Sequence, residues 1–195
     1  MSVPVSALLT SQKIPLAFRE KFLSPISVQG LIACYLCCDH DARLKYAAWR
    51  AVWPSMEDFE DCLPLLWPEY LTGRETRQNT PLPPSLSGLW RSLYRAPPDG
   101  PDCRTLLAQQ EKRLRDAYVA ARTAFPEIDW RRFVYYWVVV NTRCVYYVPA
   151  GAPPPKDRND AMALCPFADY FNHSDKDGVS CVIFSSGNHC VDTPS

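Results

Sequence analysis

The chain has no net charge: 21 lysines and arginines balance 21 aspartates and glutamates. A balanced surface makes no field that would draw in a polyanion, so neither nucleic acid nor a membrane is expected as a direct partner. Long apolar runs are missing too. The longest, Phe133 to Val140, falls far short of the ~18 residues that a membrane helix requires. The opening MSVPVSALLTSQKIP lacks the basic start and apolar stretch of a secretory leader. Cysteine, by contrast, is plentiful. Nine in a chain of 195 residues is an odd number, and reduced thiols in an intracellular protein, cytoplasmic or nuclear, are expected rather than a disulfide framework. Metal-ligand spacing is absent as well. Cys34-x-x-Cys37-Cys38-x-His40 has no second Cys-x-x-Cys pair to complete a site. On a helix its three cysteines share a face with Leu31, which is a packing arrangement. His189 and Cys190 make no thiol–base pair, because neighbours on a strand point to opposite faces.

What is present suffices for a core. Hydrophobic residues make up 47% of the chain, enough for one domain or one core with an insert. The 19 prolines cluster at Pro81–Pro84, Pro97–Pro101 and Pro149–Pro155 and mark loops between helical blocks. Val3-Pro-Val5 reads as the end of an extended segment. Leu16 to Phe22 is a short helix, and Ile26 to Cys38 a buried one begun by Pro25. Asp41 is placed to cap Ala42 to Val52, and Ser55-Met-Glu-Asp58 resembles a capping sequence. Trp67 and Trp90 are expected as packing anchors. Asp102 to Phe125 is the longest helix, with Leu106, Leu107, Leu114, Tyr118 and Ala121 near one face. Its basic residues read as a solvated surface. Asp129 caps a further helix, Trp130 to Tyr147, whose β-branched and aromatic content also suits a strand. Tyr135, Tyr136, Tyr146 and Tyr147 are expected in the core. Val179 to Phe184 alternates like a strand, with His189 to Val191 as its hairpin partner.

The most specific stretch is Cys165-Pro-Phe-Ala-Asp-Tyr-Phe-Asn-His-Ser174. It concentrates an amide, an imidazole and backbone donors suited to a polar, nitrogen-rich small molecule. It resembles the Asn-His-Ser segment of SET-domain protein methyltransferases, above all the branch similar to the Rubisco large-subunit methyltransferase. Val138-Val-Val-Asn-Thr-Arg143 is similar to the helix that precedes that segment. Val3 to Thr10 looks like the stretch that leaves the N-terminal half of the SET fold.

The resemblance implies an α+β fold: a partial SET fold, mainly helical here, with short strands near the C-terminus. Residues 1–15 would end the N-terminal part, 16–125 form a helical insert, and 126–195 carry the C-terminal core up to and just past Asn-His-Ser. It implies S-adenosyl-L-methionine as cofactor and a protein substrate bearing a target lysine, with the enzyme a monomer. By position, Asn172 would bond the cofactor's amino-acid moiety, His173 its adenine, and Arg143 its carboxylate. Asp169 and Tyr170 would lie near the lysine channel, with Phe167 and Phe171 as wall and core. From the residues alone, Asn-His also suits a turn cap, Arg143 a structural cation, and Asp169 a structural hydrogen-bonding group.

Two family features have no counterpart. No two of the seven glycines are spaced as Gly-x-Gly, and no tyrosine follows Tyr170. The expectation is therefore an incomplete chain without catalytic residues of its own and with little or no activity. The alternatives are a non-catalytic protein-binding remnant or a protein-histidine methyltransferase of the same branch.

Overall fold

A computed structural model describes residues 2–67, 103–149, 151–166, 180–183 and 189–192. The chain divides into two compact units, Met1–Trp53 with Ala117–Ser195, and Pro54–Asp116.

The first unit opens with β1 (Ser2–Val3), the short α1 (Leu16–Arg19) and α2 (Val28–Cys38), followed by α3 (His40–Lys45) and α4 (Ala47–Arg50). Helix α2 is its hub, with Leu31, Ile32, Ala33, Cys34, Leu36 and Cys37 all buried. It begins at Val28, two residues later than Pro25 suggested, because Ser27 offers what proline cannot. The Ser27 Oγ accepts from the Gly30 amide at 3.1 Å, satisfying one of the orphan donors of the first turn. The Val28 amide is met from far along the chain. It donates at 2.9 Å to Oδ1 of Asp160, the last residue of a 3-10 turn over Arg158–Asp160. The carboxylate also lies at the positive end of the helix. Asp160→Ala is therefore expected to lower stability by about 1–2 kcal/mol in urea unfolding, whereas Asp160→Asn, which keeps an accepting oxygen, should lose less than half of that.

Asp39, not Asp41, caps the next helix: its Oδ1 accepts from the Ala42 amide at 2.7 Å. The expected single helix over Ala42 to Val52 is broken at Tyr46 into α3 and α4. The break lets Tyr46, Trp49 and Trp53 turn inward, the two tryptophan rings meeting edge-on at 4.9 Å.

The second unit contains α5 (Met56–Cys62) and most of α6 (Cys103–Ala124). The capping sequence read at Ser55 is a full capping box. The Ser55 amide donates to Asp58 Oδ2 at 2.8 Å, and the Asp58 amide donates to Ser55 Oγ at 3.2 Å. On α6, Leu107 and Leu114 are buried, but Leu106, expected beside them, is exposed. Lys112 and Asp116 pair at 2.6 Å on the solvated face, where such pairs contribute little. Trp67 is half-buried, and Trp90 lies outside the described residues.

From Ala117 on, α6 belongs to the first unit, as does α7 (Trp130–Arg143). Asp129 caps α7 as its sequence indicates, its Oδ1 accepting from the Arg132 amide at 2.8 Å. Helix α7 packs on α2 and buries Phe133, Val134, Tyr136, Trp137, Val138, Val139 and Val140. It stops at Arg143 rather than Tyr147. Cys144–Tyr146 forms β2, antiparallel to β3 (Met162–Leu164), with Cys144 opposite Leu164 and Tyr146 opposite Met162. The strand tendency of this β-branched and aromatic stretch prevails where a partner strand is at hand. Of the four tyrosines expected inside, Tyr136 is buried, Tyr135 and Tyr147 are half-buried, and Tyr146 is exposed.

A second sheet has the order β1, β5, β4, where β4 is Ser180–Ile183 and β5 is His189–Asp192. Ser180 faces Asp192 and Ile183 faces His189, while Ser2 faces Cys190. The extended N-terminus and the C-terminal strand pair are thus both present, and they belong to one sheet.

Candidate functional site

Three separated stretches meet where the chain enters Cys165–Ser174. Strand β3 lies between β2 and residue Leu9. The Leu9 amide donates to the Leu164 carbonyl and the Leu164 amide to the Leu9 carbonyl, both at 2.9 Å. Leu8, Ala163 and Cys165 form a buried cluster beneath this junction, with Val5, Ala7, Val145 and Tyr147 packed against it. Arg143 ends α7 one residue before Cys144, and Cys144 is in register with Leu164, one residue before Cys165. The residue after Arg143 is thus paired with the residue before the Asn-His-Ser stretch.

Arg143 is half-buried, so its charge acts through less water than a surface cation's would. That charge is felt at Tyr135: burial pushes the Tyr135 hydroxyl upward, Tyr136 adds to the effect, and Arg50 and Arg143 oppose it. Next to Arg143, burial pushes the Cys144 thiol up to about 12. A half-buried guanidinium at the end of a packed helix can hold a carboxylate through charge-assisted hydrogen bonds.

Comparison with known proteins gives two relatives. Ribosomal lysine N-methyltransferase set11 of Schizosaccharomyces pombe is 40% identical over 50 residues, 26% of this chain and 12% of that protein. SET domain-containing protein 4 of Mus musculus is 25% identical over 190 residues, 89% of this chain and 37% of that protein. The chain resembles SET-domain proteins. It spans well under half the length of either relative. No protein-family profile and no solved structure matches it.

Of the site residues that the SET resemblance marks, Arg143 lies within the described residues. Asp169, Tyr170, Asn172 and His173 lie outside them, as do Phe167 and Phe171. Sequence reasoning missed β3 and its pairing with both β2 and Leu9. Met162-Ala-Leu164 is too short to show alternation, and its partners are remote in sequence. The tendency of Cys144–Tyr146 toward a strand was the only available signal. Among the described residues no group of three or more His, Cys, Asp or Glu side chains is arranged to hold a metal ion, and no helix is long and apolar enough to cross a membrane.

Proposed function

We propose that this chain carries one wall of the cofactor pocket of an S-adenosyl-L-methionine-dependent protein-lysine N-methyltransferase, of the branch similar to the Rubisco large-subunit methyltransferase. In this reading residues 16–125 are the helical insert of a SET fold, and residues 126–195 belong to its C-terminal core. The observation that carries it is the strand register that sets Cys144, the residue after Arg143, opposite Leu164, the residue before Cys165. Residues from 3–10, the strand that directly follows 138–143, and Cys165, the first residue of 165–174, pack at that junction.

The chemistry of the donors fits the cofactor. The half-buried Arg143 guanidinium would hold its carboxylate, the Asn172 amide its amino-acid moiety, and His173 its adenine. When bound, S-adenosyl-L-methionine supplies a methyl group on a positively charged sulfur. Asp169 and Tyr170 would stand by the entering lysine. A narrow apolar channel there would favour the neutral, nucleophilic amine by desolvation. The residues then serve to align donor and acceptor.

Calorimetric titration with S-adenosyl-L-methionine tests this. The 195-residue chain should give a binding isotherm, and Arg143→Ala and Asn172→Ala should each weaken it by roughly ten- to a hundredfold, the loss expected for one charge-assisted hydrogen bond. Absence of binding, or affinity indifferent to both substitutions, refutes the cofactor reading and leaves a protein-binding module. Binding without turnover is the expected state, since no tyrosine follows Tyr170 to orient the amine and no Gly-x-Gly turn is present. Methyl transfer to a peptide lysine by these residues alone, abolished by Asn172→Ala, would contradict that. Transfer to a histidine would favour the related histidine-modifying activity.

A further inference from the structure

Two guanidinium groups meet at the last turn of α2. Nη1 of Arg43, on α3, donates to the Cys37 carbonyl at 2.6 Å, and Nη2 of Arg132, on α7, donates to the same oxygen at 2.7 Å. Two donors on one carbonyl oxygen at such distances stand roughly 5 Å apart or less. One arginine is enough to satisfy an orphan carbonyl at a helix end. The second brings a charge that no carboxylate answers. Among the described residues, neither Arg43 nor Arg132 forms an ion pair. Asp39, the acidic residue that follows α2, is engaged elsewhere, its Oδ1 accepting from the Ala42 amide. Arg43 is half-buried and Arg132 exposed, so the pair is anchored on one side and open to solvent on the other.

We propose that Arg43 and Arg132 form a receptor for a dianionic phosphate group. The charge balance sets the class of ligand. The two guanidiniums carry two positive charges, and the carbonyl end of α2 offsets roughly half of one. A carboxylate, with its single charge, would leave the site cationic. A phosphate monoester carries about −1.5 to −2 near neutral pH and closes the balance. Arg50 adds to the positive field. It donates to the Tyr136 hydroxyl at 3.0 Å, and Tyr136 lies one turn along α7 from Arg132.

The donor geometry suits the same ligand. Each guanidinium uses one nitrogen on the Cys37 carbonyl and keeps its other N–H groups for a ligand. The shared carbonyl fixes the spacing of the two forks before anything binds, so little side-chain freedom is lost on binding. The terminal oxygens of a phosphate can accept from both forks at once, through charge-assisted hydrogen bonds that a lysine, as a point charge, would not reproduce. The receptor shares no residue with the pocket wall built around Arg143.

Calorimetric titration of the full chain with sodium phosphate, near neutral pH and at constant ionic strength, provides the test. Saturable binding with a Kd on the order of 1 mM or tighter is expected, and Arg43→Gln and Arg132→Gln should each weaken it by roughly ten- to a hundredfold. Arg132→Lys, which keeps the charge and loses the fork, should recover only part of that loss. Arg122→Gln, at an exposed arginine of α6, should change nothing. A short phosphoserine peptide identifies the source of the phosphate. Binding at least about tenfold tighter than inorganic phosphate assigns the site to a phosphorylated protein segment, and equal binding assigns it to the free ion. The same peptide with glutamate in place of phosphoserine should bind at least about tenfold more weakly than the phosphopeptide. A second measurement needs no substitution. In nitrogen–proton correlation spectra, phosphate should shift the Nε–H signals of Arg43 and Arg132 and leave that of Arg122 in place. No saturation by about 10 mM phosphate, affinity indifferent to both glutamine variants, or a glutamate peptide that binds as well as the phosphopeptide would each overturn the proposal.

Discussion

Trp137→Ala should lower the free energy of unfolding by about 3–5 kcal/mol, the cost of removing a large aromatic side chain from a packed core. Trp137 is 1% exposed and sits midway along α7, the helix that packs on α2. The methyl group left behind cannot fill the space, and flanking Val138, Val139 and Val140, all fully buried, have single preferred rotamers and cannot swing into it. Domains have only about 5–15 kcal/mol in reserve, so the variant should be largely unfolded at moderate urea concentrations, as followed by circular dichroism. Trp137→Phe should cost less than half as much. It keeps most of the apolar volume, and the indole N–H it removes has no hydrogen-bond partner among the described residues, so no bond is lost with it. Equal losses for the two variants would show that the indole's shape, not its burial, matters. Because α7 ends in Arg143, Trp137→Ala should also weaken S-adenosyl-L-methionine binding without touching any group proposed to hold it.

Gly30→Val should cost about 2–3 kcal/mol, despite the better intrinsic helix propensity of valine over glycine. A Cβ built on Gly30 would lie 2.7 Å from the Cβ of Ala117, 3.0 Å from Ile26 Cγ1 and 3.2 Å from Ser27 Oγ. The Ala117 contact decides the sign. A Cβ cannot rotate away from its own backbone, so α2 and the last turns of α6 must part, and dispersion contacts along the seam are lost with them. Displacing Ser27 would also loosen the cap of α2. Gly30→Ala isolates the effect. Paired with Ala117→Gly in a double-mutant cycle, it should show a favourable coupling of about 1 kcal/mol, since Ala117→Gly removes the atom the new Cβ would strike and the new Cβ fills the space left. Strictly additive effects would mean that the close approach plays no part.

Local signals in this chain were legible because their physics is local. The Ser55–Asp58 capping box and the Asp129 cap depend on atoms within one turn, and both formed as read. The long α6 and the β4–β5 pair follow from periodicity and from a short connection. Errors arose where remote residues cast the deciding vote. Ser27 and Asp160 together set the start of α2, and Asp160 is 132 residues away. Helix α7 ends early because β3 offers its backbone to Cys144–Tyr146. Tyr146 counted as a core residue in a helical frame, and in the strand it is exposed.

The sequence by itself determined the Ser55 and Asp129 helix caps, the long α6 and the stretch Cys165–Ser174 on which the family resemblance rests. Those are matters of residue type and short spacing. Only the tertiary structure decided that Leu9, Cys144 and Leu164 converge at the entrance to that stretch, and that Arg43 and Arg132 meet at the last turn of α2. Such meetings depend on strand register and helix packing. These are settled by the free energy of burying the whole unit, to which no single segment holds the key.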